Sequence, residues 1–488
     1  MLRFRIGFLN FNVVDLIYIL SSVLVSLYCL FQQQFYCEWL ILLPLTFLVC
    51  FILFLFYSCK KTLTAKILTF CIFLRYVFLS LLQNMNPVYN FSSYSINDYK
   101  ILTKAIFVMS YELLVVSVFI FIYTYINKNK INKYFNIRKE KKFPINKNKY
   151  YFIFIFSIFA ILLGLVNSRV LKQISFIFIK ANTTKRLGQI LANSNSIDMI
   201  MRQIFLIGVL SLFVIVVVYM QQKYYNKNPR KVLYFAMLGA LICISMIIAE
   251  QRSSQIYCAF ASIILLIQLF PKNKKIIIKI IFSGAIIIVG ILTIYKTFYA
   301  FRYDSYLDAI MYSDSNFKDF IRTMEIYLLG PITVSSVIKY ENIYGGISLM
   351  QLFFDIGRST IGISFLLKTI DYTLTSSSYN LFITSGRSVS GYLLPITGQG
   401  YLSFGFILSP LLLCCYLYIA FKLEKQMISN KSAYVVFFAS YVFIRLSTCI
   451  VSANLSTVMN VTSSIFISAG ILYLIQKTLN KILKKKGI

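Results

Sequence analysis

Gly386-Arg387-Ser388-Val389-Ser390-Gly391-Tyr392, followed by Pro395-Ile396-Thr397-Gly398-Gln399-Gly400-Tyr401-Leu402-Ser403-Phe404-Gly405, closes the one long polar-facing stretch of the chain, Phe301 to Tyr401. On both sides of it lie apolar runs, each close to the ~20 residues a helix needs to cross a bilayer. The stretch gathers Arg302, Asp304, Asp308, Asp314, Asp319, Arg322, Glu325, Glu341, Asp355, Arg358, Asp371 and Arg387. It reads as an extracytoplasmic loop domain over 300–401, with a transmembrane bundle over 1–299 before it and closing spans over 402–488 after it. Ser376-Ser377-Ser378 and Ser385 to Ser390 read as turns inside that loop.

The composition fixes the class. Of 488 residues, 59% are hydrophobic and 13% charged, more apolar surface than a soluble chain of this length can bury. In lipid every backbone polar group must be satisfied internally, so the options are helices or a closed barrel. The runs are helix-length, which predicts an all-α polytopic bundle. Spans are expected near 12–31, 39–57, 66–84, 101–126, 150–167 and 203–220, then near 232–249, 255–271, 276–299, 402–421, 433–451 and 457–475, about twelve in all.

The net charge is +33. One set of connections holds Arg3 and Arg5, Lys60, Lys61 and Lys66, the basic linker 127–149, Lys223 to Lys231, Lys272 to Lys275, Lys422 to Lys431 and the tail from Lys477. The short connections Gln32–Glu38 and Ser452–Ser456 have no lysine or arginine. The asymmetry predicts cytoplasmic termini and an outer 300–401 stretch, with anionic membrane lipid meeting the basic loops. The 168–202 loop, with Arg169, Lys172, Lys180, Lys185, Arg186 and Arg202, falls outside and departs locally from the rule. No zinc-finger spacing and no RNA-binding motif accompanies the charge, so nucleic acid is not an expected partner.

Histidine is absent, which excludes His-based acid–base chemistry, Ser-His-Asp triads and HExxH zinc sites. The ten cysteines form no CxxC pair; most fall in apolar runs and read as packing residues, with no metal site. A charge at mid-bilayer costs about 2.5–3.5 kcal/mol or more on insertion scales, so each needs a partner or a task. Arg75 and Glu112, at matching depths of the third and fourth spans, are expected to form a structural ion pair or to share a functional role. Arg445 is expected about two turns below the outer end of its span, facing a cavity. Asp15 reads as interfacial. Arg252, in the short outer turn Glu250-Gln251-Arg252-Ser253-Ser254, is either an interfacial arginine or an anchor for a diphosphate, whose oxygens an arginine fork suits.

The Glu-Gln-Arg-Ser-Ser turn opening an apolar helix, the long outer stretch, and its ending Gly398-Gln399-Gly400-Tyr401-Leu402-Ser403-Phe404-Gly405-Phe406 together resemble Wzy-type oligosaccharide repeat-unit polymerases of bacterial O-antigen, capsule and exopolysaccharide assembly. The resemblance covers the hydropathy layout and, residue by residue, those two stretches. It implies a bacterial inner-membrane glycosyltransferase that moves a growing glycan from polyprenyl diphosphate to the next lipid-linked repeat unit. No cofactor or metal is implied; a chain-length regulator protein is an implied partner. Arg252 matches the family's arginine at a helix head, and Arg387 lies in the second motif region. Some members keep a fixed arginine-to-glycine spacing in both outer loops, which Arg169, Arg186, Arg302, Arg358 and Arg387 lack.

The chemistry is consistent with the residues at hand. Transfer from a lipid diphosphate needs cations on the leaving group and a carboxylate to take the acceptor hydroxyl's proton. The expected cations are Arg252, Arg302, Arg358, Arg387 and Arg445; the carboxylates are Asp304, Asp308, Glu325 and Asp355, unranked. An O-antigen ligase of the same fold and a lipid-linked oligosaccharide flippase are the alternatives. The missing histidine weighs against the first and the asymmetric long stretch against the second; a scaffold without chemistry would not need arginines on one face.

Overall fold

The computed structural model describes residues 3–6, 9–31, 38–87, 90–91, 94–95, 99–132, 150–166, 196–246, 252–301, 317–367, 369–386, 392–451 and 453–485. The fold is helical. The extended elements among these residues are two short hairpins: β1 Arg3–Ile6 with β2 Leu9–Asn12, and β3 Asn90–Phe91 with β4 Tyr94–Ser95.

Helices fall at the positions expected from the hydropathy, but the tenth, 402–421, is shared by two helices that meet at a sharp bend. Among the described residues, six helices are long and apolar enough to cross a membrane: α1 Val13–Phe31, α2 Glu38–Lys61, α3 Leu63–Met85, α4 Tyr99–Ile126, Ile200–Tyr224 within α6 Ser196–Tyr224, and Leu455–Ile482 within α18 Leu455–Lys485. The number rises to eight if two bent helix pairs each count as one span. Tyr151–Val166 (α5), Ser253–Leu269 (within α8 Arg252–Leu269) and Ala433–Ser447 (α17) are apolar but shorter. The remaining helices of the series are α7 Pro229–Ser245 and α9 Lys274–Phe301. The chain is therefore a multi-pass helical membrane protein.

It divides into two compact units that interleave along the sequence and do not follow the three consecutive segments read from hydropathy. Unit 1 comprises Met1–Phe135, Ser315–Lys422 and Arg445–Thr462; unit 2 comprises Asn136–Asp314, Leu423–Ile444 and Ser463–Ile488.

In unit 1, the start of α1 is capped by Asp15, whose Oδ2 accepts from the Asn12 N–H at 2.9 Å. Asp15 thus satisfies one of the donors that every helix start leaves over. Ser22, Val25, Ser26 and Cys29 form the buried stripe of α1, while Leu20, Leu24, Leu27 and Phe31 are exposed. Small residues on the packed side let the backbones approach, and large apolar ones suit lipid. Tyr18 meets Phe47, Phe51 and Phe73 with ring centroids 6.1, 5.5 and 4.9 Å away. α2 and α3 are each interrupted by a π turn, Phe51–Leu55 and Leu74–Phe78.

The 301–401 stretch is not one continuous loop. Its described part folds into α10 Phe317–Leu328, α11 Pro331–Tyr344, α12 Leu349–Ser359, the single turn α13 Ile363–Leu366, and α14 Thr375–Ile383, with α15 Ile396–Leu408 closing it. α10 and α11 form one of the bent pairs, at 62°. Every residue from Pro331 to Ile338 is buried, and α11 packs along α4. Proline at the first helical position and Gly345 at φ +82° just past the end are the residues these two termini favour. The three serines expected in a turn, Ser376 to Ser378, begin α14.

The expected tenth span is broken as well. α15 and α16 (Leu411–Ser429) meet at 108°. Gly405, at φ +73°, departs from the helix in a conformation that L side chains avoid. The chain then returns so closely that a Cβ on Gly400 would overlap the Ser409 backbone carbonyl. Ile396 through Leu402 are all buried.

In unit 2, α5 and α6 pack tightly through glycine. A Cβ on Gly164 would overlap the Phe205 ring, and one on Gly208 would come within 2.6 Å of the Ala160 Cβ. The Gln476 side chain of α18 accepts from the Ile153 N–H at 3.1 Å, and Tyr150 and Ser432 share a 3.0 Å hydrogen bond.

Candidate active site

Two buried polar centres stand in unit 1. The first is built on the π turn of α3. The extra residue in that turn lets consecutive side chains, Arg75 and Tyr76, reach the same partner on α4. Arg75 Nη1 lies 3.1 Å from Glu112 Oε2, and the Tyr76 hydroxyl donates to the same oxygen at 3.1 Å and to the Met109 carbonyl at 2.9 Å. Thr397 of α15 donates its hydroxyl to Glu112 Oε1. Arg75 Nε donates to the Leu329 carbonyl at 2.9 Å. Arg75 is 1% exposed and Glu112 0%.

Leu329 is the hinge of the α10–α11 bend and sits at φ 55°, strained for a leucine. Beside it, Glu325 Oε1 accepts from the N–H groups of Ile332 and Thr333 at 2.7 and 3.1 Å, and its Oε2 from Gln83 Nε2 at 2.9 Å. Glu325 is fully buried. It was expected among the catalytic carboxylates of an exposed loop; instead it caps the first turn of α11. The reason lies in the fold of the stretch. An N-terminus of a helix buried in a bundle has no water to satisfy its N–H groups, so a carboxylate from the preceding helix does so.

The second centre surrounds Asp355 on α12. Its Oδ1 accepts from the Tyr372 hydroxyl and the Thr375 N–H, both at 3.0 Å, and its Oδ2 from Gln399 Nε2 at 2.9 Å. Burial, reinforced by the Asp355 charge, pushes the Tyr372 phenol up to about 12, so it remains a donor at neutral pH. One turn on, half-buried Arg358 donates to the Leu367 carbonyl. Next to Thr375, Ser376 shares a 2.9 Å hydrogen bond with Ser456 at the start of α18. Ser456 is followed by Thr457, whose hydroxyl accepts from Arg445 Nη2 at 2.9 Å. A short relay of contacts thus joins Asp355 to Arg445. Arg445 is 3% exposed, and it stands in the last turn of α17, which ends at Ser447, not two turns from its end.

Asp355, Arg358 and Arg445 are therefore brought into one unit. Arg302, Asp304, Asp308 and Arg387 lie outside the described residues. Arg252 is the first residue of α8 in unit 2; its side chain lies outside the described part. Among the described residues no three Cys, Asp or Glu side chains gather as metal ligands.

Reading for charged and catalytic types passed over Tyr76, Gln83, Thr397, Tyr372 and Gln399. A signal existed for one: Gln399 sits between the glycines of the Gly398–Gly400 motif. Those glycines have packing roles of their own, Gly398 against Val337 and Gly400 against Ser409. That close packing turns the Gln399 side chain toward Asp355.

No protein-family model, curated protein or solved structure matches the chain.

Proposed function

We propose that the chain polymerises lipid-linked oligosaccharide repeat units at the outer face of a bacterial inner membrane, transferring glycan from polyprenyl diphosphate to the next repeat. The observation that carries this reading is the Asp355 centre. A carboxylate is held by three donors, one of them from the Gly398-Gln399-Gly400 stretch on which the resemblance to the polymerases rests, and two arginines share its unit.

In the proposed reaction the acceptor hydroxyl oxygen bonds to the anomeric carbon while the bond from that carbon to the diphosphate oxygen breaks. The diphosphate leaves with the electron pair, and arginine forks neutralise it. The hydroxyl proton passes to a carboxylate. Asp355 uses three of its roughly four lone-pair sites, which leaves one for that hydroxyl. Arg358 and Arg445 are the cations that unit 1 offers to the diphosphate. Both termini are then cytoplasmic, and the chain-length regulator and membrane lipid are the partners.

The broken helix pairs favour transport as a second reading, because discontinuous helices recur at the binding sites of secondary transporters. Deleting the gene separates the two. Single lipid-linked repeats on the outer leaflet support polymerisation; single repeats retained inside support a flippase. Complementation with Asp355→Asn, present at wild-type level in the membrane, is expected to leave single repeats. Long glycan from that variant would remove Asp355 from the mechanism.

A further inference from the structure

Leu349, Met350 and Phe353 are the exposed residues of α12, at 54%, 63% and 66%, while Leu352, Asp355, Gly357 and Ser359 of the same helix are buried. At i, i+1 and i+4 the three exposed side chains form one patch. A helix face turned to water would carry polar residues there. Two ties to α15 fix the level of this patch, one on each side of it along the chain. The Ile347 N–H donates to the Leu402 carbonyl at 2.9 Å, and Asp355 Oδ2 accepts from Gln399 Nε2 at 2.9 Å. α15 is held in turn by Thr397, whose hydroxyl donates to Glu112 Oε1. Glu112 and its partner Arg75 stand near the middles of the spans Tyr99–Ile126 and Leu63–Met85, so the pair marks the middle of the bilayer. From Thr397 to Leu402 the helix rises only about 8 Å, and half of the hydrocarbon core is about 15 Å. The segment from Ile347 to Asp355 therefore cannot stand clear of the membrane.

The start of α12 suits that depth. Its Ile347 N–H is taken by Leu402, and the Ser348 hydroxyl accepts from the Gln351 N–H at 3.2 Å, so these backbone donors need no water. The helix has 11 residues; at about 16 Å it is too short to cross the core. Three side chains cannot supply the roughly 800 Å² on each side that a stable protein interface takes, which argues against a second copy as the occupant. Large apolar side chains on the unpacked face of a helix suit acyl chains. We infer that α12 lies at hydrocarbon depth as a short helix that does not cross, and that its Leu349, Met350 and Phe353 face takes the acyl chains of the surrounding bilayer. The inference does not depend on the polymerase reading. It places the Asp355 centre, on the opposite face of α12, beneath the headgroups and not in an aqueous loop.

Trp39 is the single tryptophan of the chain, so Phe353→Trp in a Trp39→Phe background reports from one place. The full chain is purified as a monodisperse peak in detergent and reconstituted in vesicles of phosphatidylcholine and phosphatidylglycerol. The phosphatidylcholine is either plain or brominated along its acyl chains, and iodide is added from the water. The Phe353→Trp emission is expected to lose most of its intensity in the brominated vesicles and almost none to iodide. Met350→Trp in the same background is expected to behave alike, and it decides the matter should Phe353→Trp not fold. Quenching by iodide would put the face in water. Quenching by neither would mean that protein, from this chain or a second copy, covers the face. Either result overturns the inference.

Discussion

Glu112→Ala is the perturbation whose cost is most directly set by the structure. It removes the partner of Arg75 Nη1, of the Tyr76 hydroxyl and of the Thr397 hydroxyl at once. Tyr76 keeps the Met109 carbonyl, and Arg75 keeps only the Leu329 carbonyl among the contacts described above. Leaving one charge of a buried pair uncompensated costs about 3–5 kcal/mol. The unpaired Thr397 hydroxyl adds about 1 kcal/mol. At about 1.4 kcal/mol per factor of ten, the folded-to-unfolded ratio should fall by roughly 10³–10⁴, a large part of the roughly 5–15 kcal/mol that holds a typical domain together. Arg75→Met with Glu112→Leu should behave differently. It removes both charges, so no ion is left to desolvate, and apolar replacement of a buried pair is often neutral or better. The charge-swapped pair should recover part of the loss. Membrane abundance and the midpoint of heat-induced loss of the monodisperse peak in detergent would report all four proteins. A Glu112→Ala variant that melts with the wild type, or a Met/Leu double variant no better than Glu112→Ala, would refute the ion-pair reasoning.

Gly400→Ala should lower folded protein sharply, since its Cβ would overlap the Ser409 carbonyl, whereas Gly290→Ala, with nothing within 4 Å, should be tolerated or gain about 0.5–1 kcal/mol; abundance of the two variants checks this. Arg252→Ala should abolish long glycan at normal protein level, and Arg252→Lys should restore it poorly because a point charge lacks the two-pronged fork; good rescue by lysine, read from polymer length on a gel, would return Arg252 to an interfacial role. For topology, cysteines placed at Lys139, Tyr225, Lys274 and Lys425 should resist an impermeant thiol reagent in intact cells while those at Ser315 and Ser377 react; strong labelling at Lys139→Cys would reverse the orientation.

The helices outside 301–401 were legible because lipid-length apolar runs leave little choice of structure, and two mid-span charges at equal depth announced their own contact. The bent α10–α11 pair was not, for a physical reason. Hydropathy sums over all faces of a helix, and burial acts on one. Lys318, Arg322 and Lys339 lower the sum, although Ile321, Glu325 and Leu328 form one buried stripe at the i, i+4, i+7 spacing of a helix face. Leu352, Asp355 and Ser359, at i, i+3 and i+7, mark another such face. An acid in register with apolar positions was the available sign that Glu325 and Asp355 face inward. What no periodicity holds is the partner. The N–H groups that Glu325 accepts from become available only once the chain bends at Leu329, and Gln399 meets Asp355 only because α15 is folded back at Gly405.

That bend also bears on the choice between transport and transfer. In transporters with broken helices, the free N-terminus of a half-helix attracts an anionic substrate group. Here the corresponding N-terminus, at Ile332 and Thr333, is taken by the Glu325 carboxylate, which Gln83 holds from the other side. Gly330 keeps that arrangement closed, since a Cβ on it would overlap both Glu325 Oε2 and Leu79. A diphosphate brought to this point would meet a carboxylate already in place. The anion-binding capacity of unit 1 then rests on arginine side chains, and both Arg358 and Arg445 belong to the neighbourhood of Asp355. Cations in the same unit as a positioned carboxylate fit a group-transfer site, whereas an internally occupied helix terminus removes the feature that the transport reading needs.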